Sequence, residues 1–364
     1  MRSDRQKFYD NLYYGFERWL IIQYDNFFYR KKIRGRKFDR SFYQAYKNTI
    51  CPYWAQYGVK PNLLWVKYYY SLTGSLDPRY IPNDVLARDI IPHFNNQIFV
   101  IPLADKNLNS VIYPQAKRPE TVFKCMSGLY RNEDFTPITE EEVISRLSAD
   151  ETFFIKPSRN SSGGADILAF HGTADAGEIR ALLQKYACTD YIVQRAVKQH
   201  PELAALNASS VNTIRMITLL FRGEPRLLSS ILRIGNPGSS VDNIGAGGYQ
   251  CDIRPDGTLG ELAYTHGKSG RDEFVTESSR GLRFGGIAVP SYDKVRQTAL
   301  DLARKMPYHG YVAWDFAVDE TGDPVLIEYN VHIPGQNQET SGPTFGDLTD
   351  EVLAEVYGKE RKPS

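Results

Sequence analysis

Two carboxylates and a carboxamide near the end of the chain are spaced in a way that calls for a cation. The stretch Tyr311-Val312-Ala313-Trp314-Asp315-Phe316-Ala317-Val318 and the stretch Val325-Leu326-Ile327-Glu328-Tyr329-Asn330 flank Asp319-Glu320-Thr321-Gly322-Asp323-Pro324. Gly322 suits the left-handed conformation of a hairpin turn. A hairpin centred between Thr321 and Gly322 sets Trp314 against Tyr329, Phe316 against Ile327 and Val318 against Val325. These apolar pairs alternate to one side, as a core face does. The other side carries Asp315 against Glu328, with Asn330 two residues on. Directly opposed side chains lie about 4.5–5.5 Å apart at Cβ. Two carboxylates at that distance repel unless a cation lies between them. Two carboxylates and an amide oxygen are hard donors, suited to Mg²⁺ that keeps waters and takes phosphate oxygens. The competing reading is a solvent-facing polar side of a hairpin, where opposite charges would pair more naturally.

A second cluster is Phe153-Phe154-Ile155-Lys156-Pro157, followed by Ser158-Arg159-Asn160-Ser161-Ser162-Gly163-Gly164. A strand ends in a lysine, and a loop of small residues can turn its N–H groups toward an anion. The lysine precedes the loop, so this is not the GxxxxGK[ST] phosphate loop, and an ordinary surface loop would look similar. A third is Gln194-Arg195-Ala196-Val197, which leaves a strand into Lys198-Gln199-His200-Pro201-Glu202. Its backbone could read an adenine edge or be a plain connection. A fourth is Arg215 with Arg233, on what reads as two neighbouring hairpin strands. Guanidinium pairs of this kind grip phosphate or carboxylate, or simply bridge surface acids.

The elements that must position these residues are helices mixed with mostly antiparallel strands, which makes the class α+β. Residues 1–75 read as helical, with Tyr9, Leu12, Tyr13, Phe16, Trp19 and Leu20 on one face. Asp77-Pro78-Arg79-Tyr80-Ile81-Pro82 marks a boundary. Beyond it the patterns predict a helix over 84–91, a short strand over 98–103 and a helix opening after Thr139. Strands over 153–155 and 191–193, a helix over 178–188 and a hairpin of 215–221 with 227–234 across Gly223-Glu224-Pro225 follow. A helix over 292–305 precedes the last hairpin.

Composition narrows the function classes. The 364 residues are 42% hydrophobic and 24% charged, the mix of a soluble globular protein. The net charge of +1 argues against a nucleic-acid binder, and no recognition motif accompanies the basic segments. That total hides an asymmetry: residues 1–50 carry 12 Lys and Arg against 5 Asp and Glu. Cys51, Cys125, Cys188 and Cys251 are widely spaced, which fits reduced thiols better than a zinc site or a disulfide framework. No apolar run reaches the ~18 residues of a membrane span, and the start lacks a signal-peptide core. A cytoplasmic protein is expected, with residues 1–40 able to hold it against the inner face of a membrane or a phosphorylated carrier.

Together these motifs resemble the ATP-grasp superfamily, and within it the sugar-transfer associated branch found with polysaccharide biosynthesis. The resemblance runs from about Arg79 to Asp347. Its carriers are Tyr80-Ile81-Pro82, Phe154-Ile155-Lys156-Pro157, Gln199-His200-Pro201, Ser210-Val211-Asn212-Thr213-Ile214-Arg215, Trp314-Asp315-Phe316, Ile327-Glu328-Tyr329-Asn330 and Pro334-Gly335. It implies two α+β lobes sandwiching ATP, behind a helical region over 1–78. The lobes would be 79–197, with the lid, and 198–358, with the metal site, ahead of a tail over 359–364. It implies that Lys156 and Lys106 bind phosphates, that Ser158, Ser161, Ser162, Gly163 and Gly164 close over them, and that Glu202 holds ribose. Gln194 and the backbone through Arg195, Ala196 and Val197 would hold adenine, although many superfamily members have an acid at the position of Gln194. Asp315, Glu328 and Asn330 would bind one or two Mg²⁺. Arg215, with Lys156 and Arg233, would stabilise the transferred phosphoryl group. His332, Lys268, Arg271 and the 236–248 loop carry no assigned role.

The chemistry so implied is a carboxylate–amine ligase joining a small-molecule carboxylate, activated as its acyl phosphate, to an amine or sugar acceptor. A kinase of the same fold, or a non-catalytic ATP-sensing assembly protein, are the competing expectations.

Overall fold

The computed structural model describes residues 4–159, 166–239, 242–266, 272–331 and 337–358, with side chains from Tyr14 onward. Ser161, Ser162, Gly163, Gly164, Lys268, Arg271, His332, Pro334, Gly335 and the 359–364 tail lie outside the described residues.

Alternating apolar residues give two antiparallel sheets. The smaller is built from β1 (Thr121–Met126), β2 (Leu129–Arg131), β3 (Thr152–Pro157), β4 (Leu168–His171) and β5 (Tyr191–Arg195), in the order β2-β1-β5-β3-β4. The helices Glu140–Leu147 and Ala176–Gln184 press Val143, Leu147, Ile179 and Leu183 onto Phe123, Phe153 and Val193. The first of these helices starts where expected, on a reciprocal cap between Thr139 and Glu142.

The larger sheet contains β6 (Thr213–Phe221), β7 (Glu224–Ile234), β8 (Tyr249–Ile253), β9 (Leu259–His266), β10 (Asp272–Val275), β11 (Tyr311–Val318) and β12 (Pro324–Asn330). Its order is β10-β9-β8-β7-β6-β11-β12. The helix Tyr292–Lys305 covers one face, with Val295, Ala299 and Leu302 against Met216, Trp314 and Phe316. Ile50, Trp54, Ile90 and Val352 cover the other, against Ile217, Leu219, Tyr311 and Ala313. Every residue of β11 is therefore buried. Burying each large apolar side chain contributes about 1.5–3 kcal/mol, so β11 is the most firmly held strand on which a site could be mounted.

The N-terminal region is helical, beginning with α1 (Asp4–Lys32). The end of α1 docks by Tyr29, whose ring centroid lies 4.5 Å from those of both Trp65 and Tyr68. Lys32 adds a bond of 3.0 Å to Asp272 on β10.

Four local expectations are corrected. Residues 98–103 are helical, as a turn at Gln97–Phe99 running into a helix at Val100–Leu103. The Asn96 side chain caps the first turn, and Val100 and Leu103 are buried while Ile98 and Ile101 are exposed. That three-residue period belongs to a helix, and a short apolar run cannot reveal it. The β6–β7 turn is the pair Arg222-Gly223, both at positive φ, and Pro225 sits inside β7 opposite Leu220. The helix expected to reach Cys188 ends at Gln184. In the last hairpin, Trp314–Tyr329 and Asp315–Glu328 pair as expected. A bulge then moves Phe316 onto Leu326 and Val318 onto Pro324, leaving Ile327 unpaired and half-buried.

Candidate active site

One row of directly opposed residues crosses three strands of the large sheet. Arg215 on β6 faces Asp315 on β11, and Asp315 faces Glu328 on β12. The side chains meet accordingly. Arg215 donates from Nε and Nη2 to the two Asp315 oxygens, each at 2.7 Å. Arg233, one strand further and opposite Thr213, donates from Nη1 to Asp315 at 3.3 Å. Its Nη2 lies 3.3 Å from Asp242, and its buried Nε has no hydrogen-bond partner among the described residues. Asp315 is thus a buried anion answered by two guanidinium groups. Burial pushes its pKa up, but Arg215 and then Arg233 outweigh that and hold it below the usual carboxylate range.

Glu328 is the opposite case. Burial and the facing Asp315 push its pKa up, only partly offset by Lys106, Arg215 and Arg233. Asn330, two residues along the same strand, has a buried amide nitrogen with no hydrogen-bond partner among the described residues. The row could offer a Mg²⁺ ion hard oxygen donors: Glu328, whose charge is only partly offset, the facing Asp315 carboxylate, and the side-chain oxygen of Asn330 beside them. Arg215 and Arg233 together occupy Asp315 Oδ2, and Oδ1, bonded by Arg215 Nε alone, keeps a further lone pair. Among the described residues no three His, Cys, Asp or Glu side chains cluster as a metal site.

The smaller sheet contributes the cations. Lys156, at the end of β3, donates to the Gln194 side-chain oxygen on β5 at 3.1 Å. Burial brings its pKa down to about 8; Glu328 raises it and Lys106 lowers it further, so the three groups share one field. Lys106 is placed by its backbone, whose N–H donates to Ser158 at 2.8 Å. The Tyr329 hydroxyl of β12 donates to the carbonyl of Leu103 just before it. Those two contacts tie the Lys106 turn to both sheets.

The remaining expected residues fall as follows. Ser158 is buried, and its N–H donates to the Asp190 carbonyl at 2.8 Å. Arg195 turns toward Glu120, Glu151 and the Phe153 ring. The Ala196 N–H donates to Thr152 at 2.9 Å, so among its backbone groups the carbonyl is the one left for a ligand. Val197 follows β5 directly, and Glu202 is exposed in the first turn of the helix Pro201–Leu206.

Two structural roles went unread in the sequence. The Gln199 side chain donates to the carbonyls of Asn207 and Ser210 and accepts from both nitrogens of Asn212. The Asn212 amide donates onward to Leu203 at 2.7 Å and Asn207 at 2.9 Å. The Gln199-His200-Pro201 and Asn212-Thr213 motifs are therefore one interlocked brace at the root of β6, which carries Arg215. Asn95 plays the same part for β11. Its amide donates to Tyr311 and Val331, each at 2.8 Å, and its oxygen accepts from the Tyr311 N–H at 2.8 Å. Gln199 and Asn212 stand in motifs that carry the family resemblance, which gave them no bracing role, and nothing local in the sequence marks Asn95.

No curated protein matches the sequence. Among solved structures, D-alanine–D-alanine ligase from Bacillus anthracis complexed with ATP is 13% identical, with a TM-score of 0.38 over 70% of this chain and 66% of that one. D-alanyl-alanine synthetase A from Vibrio cholerae is 14% identical, with a TM-score of 0.42 over 70% of this chain and 64% of that one. The L-amino acid ligase from Bacillus licheniformis is 12% identical, with a TM-score of 0.39 over 70% and 48%. The chain spans from about half to two thirds of the length of these structures. A family model described as sugar-transfer associated ATP-grasp matches residues 86–339, from the helical lead-in through both sheets to just past β12, and the chain belongs to that family.

Proposed function

We propose that the protein is an ATP- and Mg²⁺-dependent ligase that activates a carboxylate as its acyl phosphate and passes the acyl group to an amine or sugar nucleophile in glycan assembly. The observation that carries this reading is the Arg215–Asp315–Glu328 row with Lys156 and Lys106 in its field.

Lys156 and Lys106 would hold the phosphates, and the backbone from Gln194 to Val197 the adenine. Asp315, Glu328 and Asn330 would hold Mg²⁺, which supplies charge neutralisation on phosphate oxygens. Arg215 commits Nε and Nη2 to Asp315, which fixes the guanidinium plane and leaves Nη1 for the phosphoryl group. A substrate carboxylate oxygen attacks the γ-phosphorus, the bond to the β-phosphate oxygen breaks, and ADP leaves. The acceptor then attacks the acyl carbon, phosphate leaves, and the attacking nitrogen or oxygen loses a proton. Negative charge spreads over the phosphoryl oxygens in the first step. Fixed cations lower that barrier because their orientation is set before reaction.

The test is phosphate release from MgATP over a panel of sugar acids crossed with amino acids and amino sugars, followed by a heavy-oxygen label in the active carboxylate. Label appearing in phosphate supports acyl-phosphate chemistry. A stable phosphorylated product formed with no second substrate overturns it in favour of a kinase, and nucleotide binding with no turnover overturns it in favour of an ATP sensor.

A further inference from the structure

α1 carries an aromatic face that the rest of the chain does not cover. Phe16, Trp19, Leu20, Tyr24, Phe27 and Phe28 are exposed, and steps of three and four residues place them along one face. The face against the body is a mixed one, with Ile21, Ile22, Tyr29 and Ile33 half-buried among polar groups. Asp25 is half-buried there with its pKa pushed up to about 6 by burial, and Lys32 bonds Asp272. A helix already docked by one face while presenting a second, aromatic face to water has the partner of that second face outside this chain.

The charges at the same end identify that partner. Arg30 and Lys31 continue the aromatic face, and Arg34, Arg36 and Lys37 follow in the adjoining turn, all exposed. The Lys31 ammonium lies 4.2 Å from the Phe27 ring centroid. Glu17 is the exposed acid beside the stripe. Trp, Tyr and Phe beside Lys and Arg are the residues that settle at a bilayer interface, rings among the acyl chains and cations at the headgroups. A second copy would bring the same surplus of cations, whereas an anionic surface complements it. No helix among the described residues is long and apolar enough to cross a membrane, so the geometry is that of a helix lying on one.

We propose that α1 docks the protein on an anionic lipid bilayer, aromatic stripe inward, with Arg30, Lys31, Arg34, Arg36 and Lys37 on the headgroups. The contact stands apart from the nucleotide site and does not depend on the ligase reading.

The protein carries its own reporter. Trp19 is 53% exposed, while Trp54, Trp65 and Trp314 are 1%, 1% and 0% exposed. A blue shift and loss of acrylamide quenching on adding vesicles therefore report Trp19. With the full chain, phosphatidylcholine–phosphatidylglycerol vesicles should give both changes and co-sediment the protein, and phosphatidylcholine alone should not. Tyr24→Ser with Phe27→Ser, which keeps Trp19, should abolish the shift. Lys31→Gln with Arg34→Gln should weaken partitioning on the order of 25-fold, at about 5-fold per charge. These positions are exposed, so the variants keep the fold, which far-UV circular dichroism checks. No shift on the anionic vesicles at low salt overturns the proposal. So does equal binding by the aromatic variant. A stable dimer by light scattering that the aromatic variant dissociates also overturns it, since a second copy would then own the stripe.

Discussion

Replacing Glu328 by Gln and Asp315 by Asn should stop turnover in both cases while moving stability in opposite directions. Asp315 is buried and bonds Arg215 twice at 2.7 Å and Arg233 once at 3.3 Å. Asp315→Asn leaves two largely buried guanidinium groups without their counter-charge. Breaking a buried pair from one side costs about 3–5 kcal/mol, a large part of the ~5–15 kcal/mol that holds a typical protein folded. Glu328 faces that same carboxylate across the ladder. Glu328→Gln keeps the shape and removes the like-charge opposition, which stabilises by roughly 1 kcal/mol.

The pH dependence separates the two effects. The folded pKa of Glu328 is raised above its ordinary value of 4.5, so its ionised form burdens the fold. The advantage of Gln is absent below that ordinary value and grows as pH rises through the folded pKa. Asp315 is held below its ordinary value of 3.8, so its contribution is present at neutral pH and is lost as pH falls through the folded pKa. The penalty of Asn should therefore shrink in acid. Urea melts of both variants at neutral and acid pH, beside an ADP-release assay, make the measurement. MgATP should raise the melting temperature of the parent more than that of either variant. Turnover retained in either variant, or equal destabilisation in both, would refute the reasoning, because Glu328 would then already have a sufficient cation.

Three further outcomes follow from the same geometry. Lys156 titrates near 8 when free and gains an anionic partner on binding, so ATP affinity should be full below that pH and fall by up to about tenfold per unit above it, read by calorimetry. Gln194→Glu puts a carboxylate where the amide oxygen now lies 3.1 Å from Lys156, and should move that alkaline fall upward by about one unit. Gln199→Ala strands the Asn212 backbone N–H and the Ser210 carbonyl and should cost about 2–3 kcal/mol in denaturant melts, with ATP affinity little changed at temperatures where the fold persists.

What was legible in the sequence is what is local. The Asp315–Glu328 pairing follows from a six-residue connection and strand alternation, and the Thr139 cap and the helix Tyr292–Lys305 announce themselves within one turn. The bulge after Asp315 was not legible, because nothing in Ile327 marks it as the extra residue. The Arg215–Asp315 pair was beyond reach for another reason: β6 and β11 are separated by four strands and a helix in the sequence, and their register is set by packing on both faces. The polarity of α1 was half legible. Its aromatic period is plain, but that the stripe faces water depends on Tyr29 and Lys32 finding Trp65, Tyr68 and Asp272.

The two electrostatic conflicts in the site point at one ligand. On one side Glu328 is crowded by Asp315; on the other Lys156 is desolvated and crowded by Lys106. The two offset each other only in part: Glu328 stays above and Lys156 below its ordinary range, and Lys156 hydrogen-bonds Gln194 rather than a carboxylate. A ligand carrying only negative charge would answer the lysines and aggravate the carboxylates, and a lone cation would do the reverse. A polyphosphate with its divalent metal answers both at once. On the proposed reading, then, the parent should bind nucleotide and Mg²⁺ with mutual enhancement, and Glu328→Gln should lose that enhancement before it loses the nucleotide.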